Sequence, residues 1–179
     1  MDWPKSWYSI LWAPWRMTYI STIAGKSEGC FLCEAPRNPD ERSALVLFKG
    51  KYSFIILNKY PYNTGHLMIA PYRHVASVED LTEDEMREIG LLLKASVEAI
   101  RAVYRPEGFN IGINIGDVAG AGVPGHIHVH VVPRWKGDAN YITVVGGTKV
   151  ISQALEDTYD KLRPEVQKAA RKYGVTAED

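Results

Sequence analysis

The stretch that most constrains this chain is GHIHVHVVPRW, Gly125 to Trp135. Three of the five histidines, His126, His128 and His130, stand there at every second position, between Ile127, Val129 and Val131. Alternation is the period of a strand: residues i, i+2 and i+4 line one face and those between line the other. In a helix the same residues would spread over about 400°, at roughly 100° each, with no common face. A single strand histidine is usually a hydrogen-bonded structural residue. Three in register crowd one another if charged, so each needs a defined partner. The pattern predicts a strand with an imidazole face toward a site and a branched apolar face toward a core.

The rest of the chain reads as strands, helix, strands, helix. ALVLF (44–48), YSFIILN (52–58) and HLMIAP (66–71) are short β-rich runs, the first two joined by the hairpin signal Lys49-Gly50-Lys51. Between the second and third, KYPYNTG (59–65) is loop chemistry. Thr82 and Glu85 have the spacing of a capping box, and Leu81 and Met86 that of a hydrophobic staple. Ile89, Leu93, Val97, Ile100 and Tyr104 then recur at helical spacing, until Pro106 and Gly108 end the helix. FNIGINIG (109–116) is a fourth strand, tied to the histidine strand through DVAGAGVPG (117–125). YITVV (141–145) follows. A last helix over 149–172 carries Leu155, Tyr159, Leu162 and Val166 on one face, with a kink at Pro164.

These elements predict an α+β fold. Its antiparallel sheet has about five strands, with a long helix between strands and a C-terminal helix. The expected divisions are a Trp-rich arm (1–29), a domain (30–145) and a C-terminal helical extension (146–179) packed on that domain. The arm holds Trp3, Trp7, Trp12 and Trp15, aromatic area that calls for burial on the domain or across a dimer interface.

The charge balance narrows the function classes. Lys+Arg and Asp+Glu both number 21, which gives no support to a broad nucleic-acid surface. No apolar run approaches the roughly 18 residues of a membrane span. Pro4 and Pro14 interrupt the start of the chain, where a signal peptide would need an unbroken apolar run. A cytoplasmic protein is expected. In a reducing compartment Cys30 and Cys33, in CFLC, fit a metal site or a redox pair better than a structural disulfide.

Three constellations carry chemistry. Gly116, Gly120, Gly122 and Gly125 leave backbone N–H groups unshielded beside the histidines, the makings of an anion nest. A neutral imidazole there could attack phosphorus while a second steadies the developing charge. Cys30 and Cys33 could join His74 and one histidine of the strand in a closed, structural Cys2His2 zinc site. Asn58, at the end of an apolar strand, could meet a sugar hydroxyl, though a polar residue there is as often only a cap. Arg134, Lys136 and Lys149 are candidate phosphate contacts, with a solvated surface role the better expectation for each.

HIHVHVV resembles the histidine-triad signature, and NKYPYNTGHLMIAPYRH (58–74) resembles the upstream segment of the same family. LWAPWRMTYI and VPRWKGDANYITVVGGTKV resemble its phosphorylase branch, the ATP adenylyltransferase-like members that act on diadenosine tetraphosphate. The resemblance implies a nucleotidyl transferase that cleaves dinucleoside polyphosphates by phosphorolysis. His128 would be the nucleophile, His130 would contact the scissile phosphate or leaving group, and His126 would support them. In zinc-bearing relatives His126 would also ligate metal with Cys30, Cys33 and His74. Nucleotide contacts would fall to Asn58, His66, Asn114, Gly122 and Val123. The loop between Asn114 and His126 is about one residue longer than in the common hydrolases, which leaves Gly122 against Val123 open. The expected partners are adenine nucleotides or dinucleoside polyphosphates, inorganic phosphate and a second copy of the chain, in a homodimer or higher homo-oligomer. The main alternative is a hydrolase that puts water on the same intermediate, acting on dinucleoside polyphosphates or on AMP joined to an amine. Metal catalysis through all three histidines and a nucleotide-binding scaffold without turnover are the others.

Overall fold

The computed structural model describes residues 29–138 and 150–177. Five strands form one sheet: β1 (Val46–Lys49), β2 (Ser53–Leu57), β3 (Leu67–Pro71), β4 (Gly108–Ile113) and β5 (Val129–Arg134). Their order is β1-β2-β3-β5-β4, with every neighbouring pair antiparallel. Among the described residues three α-helices accompany them: α1 (Phe31–Glu34), α2 (Glu83–Tyr104) and α3 (Leu155–Lys172). The α+β class and the five-stranded antiparallel sheet are as expected. The Trp-rich arm and YITVV lie outside the described residues.

The period of two sorts the strands into two cores. Ile55, Leu57, Leu67, Ile69, Val129 and Val131 face the helices, where they meet Leu92, Ala99 and Ile100 of α2 and Tyr159, Leu162 and Val166 of α3. Phe54, Ile56, Met68 and Ala70 face the other way and pack on Leu32 of α1. Because both faces of the sheet are covered, β2 and β3 are buried at every position.

Helix α2 begins with the expected capping box: Glu85 N–H donates to Thr82 Oγ1 at 3.2 Å, and Thr82 N–H to Glu85 Oε2 at 2.8 Å. Of the staple pair, Met86 remains 48% exposed, and it lines an apolar groove together with Leu81. The buried stripe is also turned from the expected one. Leu92, Ala95 and Ala99 go to the bottom, while Leu93, Val97 and Tyr104 are only partly buried at its margin. Small residues let the helix axis approach the sheet, so packing rather than residue size chooses the face. Arg105 caps the helix in the left-handed region, at φ 48°. Helix α3 starts at Leu155, later than expected, and runs on through Pro164.

One carboxylate organises the β1–β2 turn. Glu88 accepts N–H groups of Lys51, Tyr52 and Ser53 at 3.0, 2.7 and 2.6 Å. A Cβ on Gly50 would stand 2.9 Å from that carboxyl group, which is why this turn takes glycine.

Candidate active site and metal centre

The histidine segment is less regular than its pattern. Only His130 lies within β5, while His126 and His128 precede it in extended chain tied by Ile127 N–H to the Val75 carbonyl at 2.7 Å. The apolar alternation holds, with Ile127, Val129 and Val131 all buried. The histidines divide. His126 turns toward the cysteines, while His128 and His130 line one cavity of about 760 Å³.

That cavity lies over the β2–β3 part of the sheet. Ile56, Leu57 and Met68 supply apolar lining, α1 contributes Phe31 and Glu34, and Leu155 and Glu156 come from α3. Asn58, Gly122 and Val123 also line it. Its volume falls in the range of small-molecule sites.

The hydrogen bonds assign the imidazole nitrogens. His128 Nδ1 stands 2.8 Å from the His126 carbonyl, which can only accept, so Nδ1 carries the hydrogen and Nε2 is left with its lone pair. Burial pushes the His128 pKa below its ordinary value and so favours this neutral form. His66 Nδ1 accepts the Tyr62 N–H at 3.1 Å. Burial, with His130 and His128 nearby, holds His66 well below the ordinary imidazole range, so its hydrogen sits on Nε2. That Nε2–H donates to His130 Nδ1 at 3.0 Å. His130 in turn carries its hydrogen on Nε2. Two adjacent rings, with centroids 4.8 Å apart, therefore hold opposite states: a lone pair on His128 Nε2 and a donor on His130 Nε2. A phosphoryl group asks for that pair, a nucleophile at phosphorus and a donor at oxygen.

The remaining expected contacts spread more widely. Asn58 lines the cavity, its Oδ1 accepting the Tyr60 N–H at 2.8 Å and its Nδ2 lying 3.5 Å from His66 Nε2. His66 is buried behind His130 rather than in the cavity lining. Asn114 does not line the cavity, and its Nδ2 donates to the Gly120 carbonyl at 3.4 Å, closing the Gly-rich loop on itself. Arg134 makes a two-pronged pair with Asp138 and so is occupied elsewhere. Lys136 is exposed and does not line the cavity. Lys149 lies outside the described residues. Phe31, Met68 and Leu155 join the lining without a signal in the sequence, because their places depend on how α1 and α3 pack.

The metal-capable group among the described residues is Cys30, Cys33, His74 and His126, whose donor atoms all lie within 4.8 Å of one another. His126 Nδ1 is 3.3 Å from Cys30 Sγ and 3.4 Å from Cys33 Sγ, and His74 Nδ1 is 3.3 Å from Cys33 Sγ. Ligands on a tetrahedral zinc, with Zn–S near 2.3 Å and Zn–N near 2.0–2.1 Å, stand about 3.6 Å apart. The four residues fit. His126 Nε2 donates to the Pro71 carbonyl at 2.8 Å, which fixes the ring with its Nδ1 lone pair toward the thiols. Burial and the neighbouring Cys30 push the Cys33 thiol up, an effect that a cation between them reverses. The three histidines of the strand do not form the cluster. Arg73, beside His74, grips Glu85 at 2.7 and 2.6 Å and ties this segment to the start of α2.

Comparison with known proteins places the chain. An AP-4-A phosphorylase of Mycobacterium tuberculosis is 46% identical over 155 residues, 83% of this chain and 79% of that one. An asymmetrical bis(5′-nucleosyl)-tetraphosphatase of Schizosaccharomyces pombe is 36% identical over 93 residues, 52% of this chain and 50% of its own. Among solved structures, a Zn-bound histidine triad family protein from Mycobacterium smegmatis superposes with a TM-score of 0.59 at 23% identity, covering 78% of this chain and 94% of that one. The sequence profile of the HIT domain matches residues 40–137, and the chain belongs to the HIT domain family.

Proposed function

We propose that the protein is a nucleotidyl transferase that cleaves dinucleoside polyphosphates, diadenosine tetraphosphate among them, by phosphorolysis. The observation that carries this reading is the opposed hydrogen placement on His128 and His130 within one nucleotide-sized cavity. His128 Nε2 attacks the α-phosphorus, the bridging P–O bond breaks, and the departing nucleotide keeps the electron pair. His130 Nε2–H donates to the phosphoryl or leaving oxygen, where charge builds. An oxygen of inorganic phosphate then attacks the same phosphorus, the P–N bond breaks, and a nucleoside diphosphate leaves. Asn58 contacts the ribose, Gly122 or Val123 offers backbone N–H to the phosphate, and Asn114 and His66 shape these groups from behind. The 46% identity to an AP-4-A phosphorylase supports phosphate as the acceptor. The likeness to an asymmetrical tetraphosphatase keeps water as the second reading. Turnover of diadenosine tetraphosphate in labelled inorganic phosphate separates the two. Label in ADP is expected, and AMP formed at a rate independent of phosphate would make the protein a hydrolase.

Zinc is the metal this reading places on Cys30, Cys33, His74 and His126. Four protein ligands leave no open position, so the ion is structural and the chemistry stays with the imidazoles. Free thiolates as ligands fit a cytoplasmic setting. Among the described residues no helix is long and apolar enough to cross a membrane. On this reading the domain, 30–145, carries the chemistry, and the extension, 146–179, adds Leu155 and Glu156 to the cavity wall. A homodimer fits the outer edge of the sheet. Among the described residues strand β4 pairs only with β5, and Ile111 and Ile113 are 46% and 39% exposed beside an apolar groove shared with α2. An edge with exposed apolar side chains, unpaired among the described residues, asks for a cover, and a second copy would supply one by two-fold symmetry.

A further inference from the structure

The loop that carries His66 is held from outside the cavity. Asn63 is buried, and its Nδ2 donates to the Pro133 carbonyl at 2.9 Å and to Asp138 Oδ2 at 2.8 Å, so both amide hydrogens are engaged. The Asp138 carboxylate also accepts Arg134 Nε at 2.6 Å, Arg134 Nη2 at 2.8 Å and the Trp135 N–H at 3.2 Å. Arg134 Nη1 reaches Asn110 Oδ1 on β4 at 2.5 Å, which anchors the turn to the sheet. Within the loop, the Asn63 carbonyl accepts the His66 N–H at 3.1 Å, and the preceding residue, Tyr62, gives its N–H to His66 Nδ1. On the other side Gly65 sits at φ +81°, where a Cβ would come within 3.2 Å of the Tyr104 ring. The turn after β5 and the loop before β3, far apart in the chain, make one unit. Neither Asn63 nor Asp138 lines the cavity.

We propose that Asp138 and Asn63 are positioning residues for the His66–His130 pair: the carboxylate after β5 fixes the Asn63 amide, Asn63 fixes the loop, and the loop presents the Tyr62 N–H that decides which nitrogen of each ring carries its hydrogen. The Tyr62 N–H is an obligate donor, so while it faces His66 Nδ1 the relay has one sense. Should the loop shift, His66 can take its hydrogen on Nδ1. His130 Nδ1 must then donate, and its Nε2 turns a lone pair toward the phosphate it should stabilise. The Asp138–Asn63 bond is charge-assisted, which suits a clamp that must hold through turnover. The kinetic consequence rests on the nucleotidyl-transfer reading, and the structural one does not.

The test uses the full-length, metal-loaded protein and its Asp138→Asn and Asn63→Ala variants. Nitrogen-15 spectra of the histidine side chains read the hydrogen placement, with His130 in the Nε2–H form in the parent and a mixture with Nδ1–H in each variant. A series of aryl esters of AMP reads the catalytic effect. Loss of the His130 donor makes log kcat depend more steeply on leaving-group pKa, with kcat down about tenfold on the poorest leaving groups and KM within about threefold. A parallel displacement of that line, or an unchanged His130 spectrum in a folded variant, would overturn the proposal. If Asp138→Asn does not fold, Arg134→Gln frees the carboxylate while leaving Asn63 intact. It should give a smaller share of the Nδ1–H form, and an unchanged spectrum there overturns the proposal equally. If the parent turns over none of the esters, the transfer reading fails, and the spectra alone decide on the clamp.

Discussion

Glu85→Gln removes the charge that joins the His74 segment to α2. Arg73 Nη2 lies 2.6 Å from Glu85 Oε2, and the Glu85 side chain is 4% exposed against 49% for Arg73. The Arg73 guanidinium, helped by Thr82, draws the Glu85 pKa from the ordinary 4.5 to about 2. At about 1.36 kcal/mol per pH decade, the full difference is worth ~3.4 kcal/mol. Arg73 is half in water, so screening brings this to ~2 kcal/mol. The folded pKa is the lower one. The stabilisation is therefore complete above pH 4.5 and is lost as pH falls toward 2. Urea unfolding of parent and variant, each loaded with metal, should show the parent ahead by ~2 kcal/mol at pH 6. The gap should close steadily between pH 4.5 and pH 2.5. The metal content of each protein is read at every pH, because an ion held by Cys30, Cys33, His74 and His126 would leave in acid. Two stability curves that stay parallel across that range would show that the Arg73–Glu85 pair holds nothing, and that His74 is placed by some other contact.

Other outcomes follow from the same geometry. His128→Ala should abolish the nucleotidyl-enzyme adduct in intact-protein mass spectra and lower kcat by at least about 10⁴-fold, with metal content unchanged, since His128 is outside the metal group. Retained turnover with lost metal would instead favour metal catalysis. Cys33→Ser should cost the protein its zinc, read by native mass spectrometry, together with several kcal/mol of stability on the scale of structural zinc sites. On the proposed homodimer, the parent should sediment as a dimer and Ile113→Asp as a monomer, because the variant sets a charge in the exposed apolar edge of β4. A variant that sediments as the parent does would remove β4 from the interface.

Much of the site could be read before any coordinates. Alternation put Val129 and Val131 into the core, and capping-box spacing located the start of α2. CFLC with His74 and one triad histidine pointed to the cluster that the fold brings together. Periodicity could not show that the three imidazoles part company, because that depends on extended chain before β5 and on a bond from Ile127 to Val75. Nor could spacing foresee that the buried stripe of α2 runs through Leu92 and Ala99, a choice made by how closely the helix meets the sheet. The state of His130 was hidden more deeply. It follows from a main-chain N–H on Tyr62, and a backbone donor has no letter in the sequence. Asn63 and Asp138 were invisible for a related reason: their meaning is a contact between two distant turns.

The tetrapeptide Cys30-Phe31-Leu32-Cys33 makes four commitments in a little over one helical turn. Its ends belong to the metal group, Phe31 walls the cavity, and Leu32 is fully buried beneath the sheet. Each residue in a helix turns the next by about 100°, so inserting or deleting one would rotate every later side chain out of its own neighbourhood at once. Such a segment tolerates replacement of its letters far better than any change in their number. Length variation among proteins built this way is therefore expected on either side of these four residues and not within them.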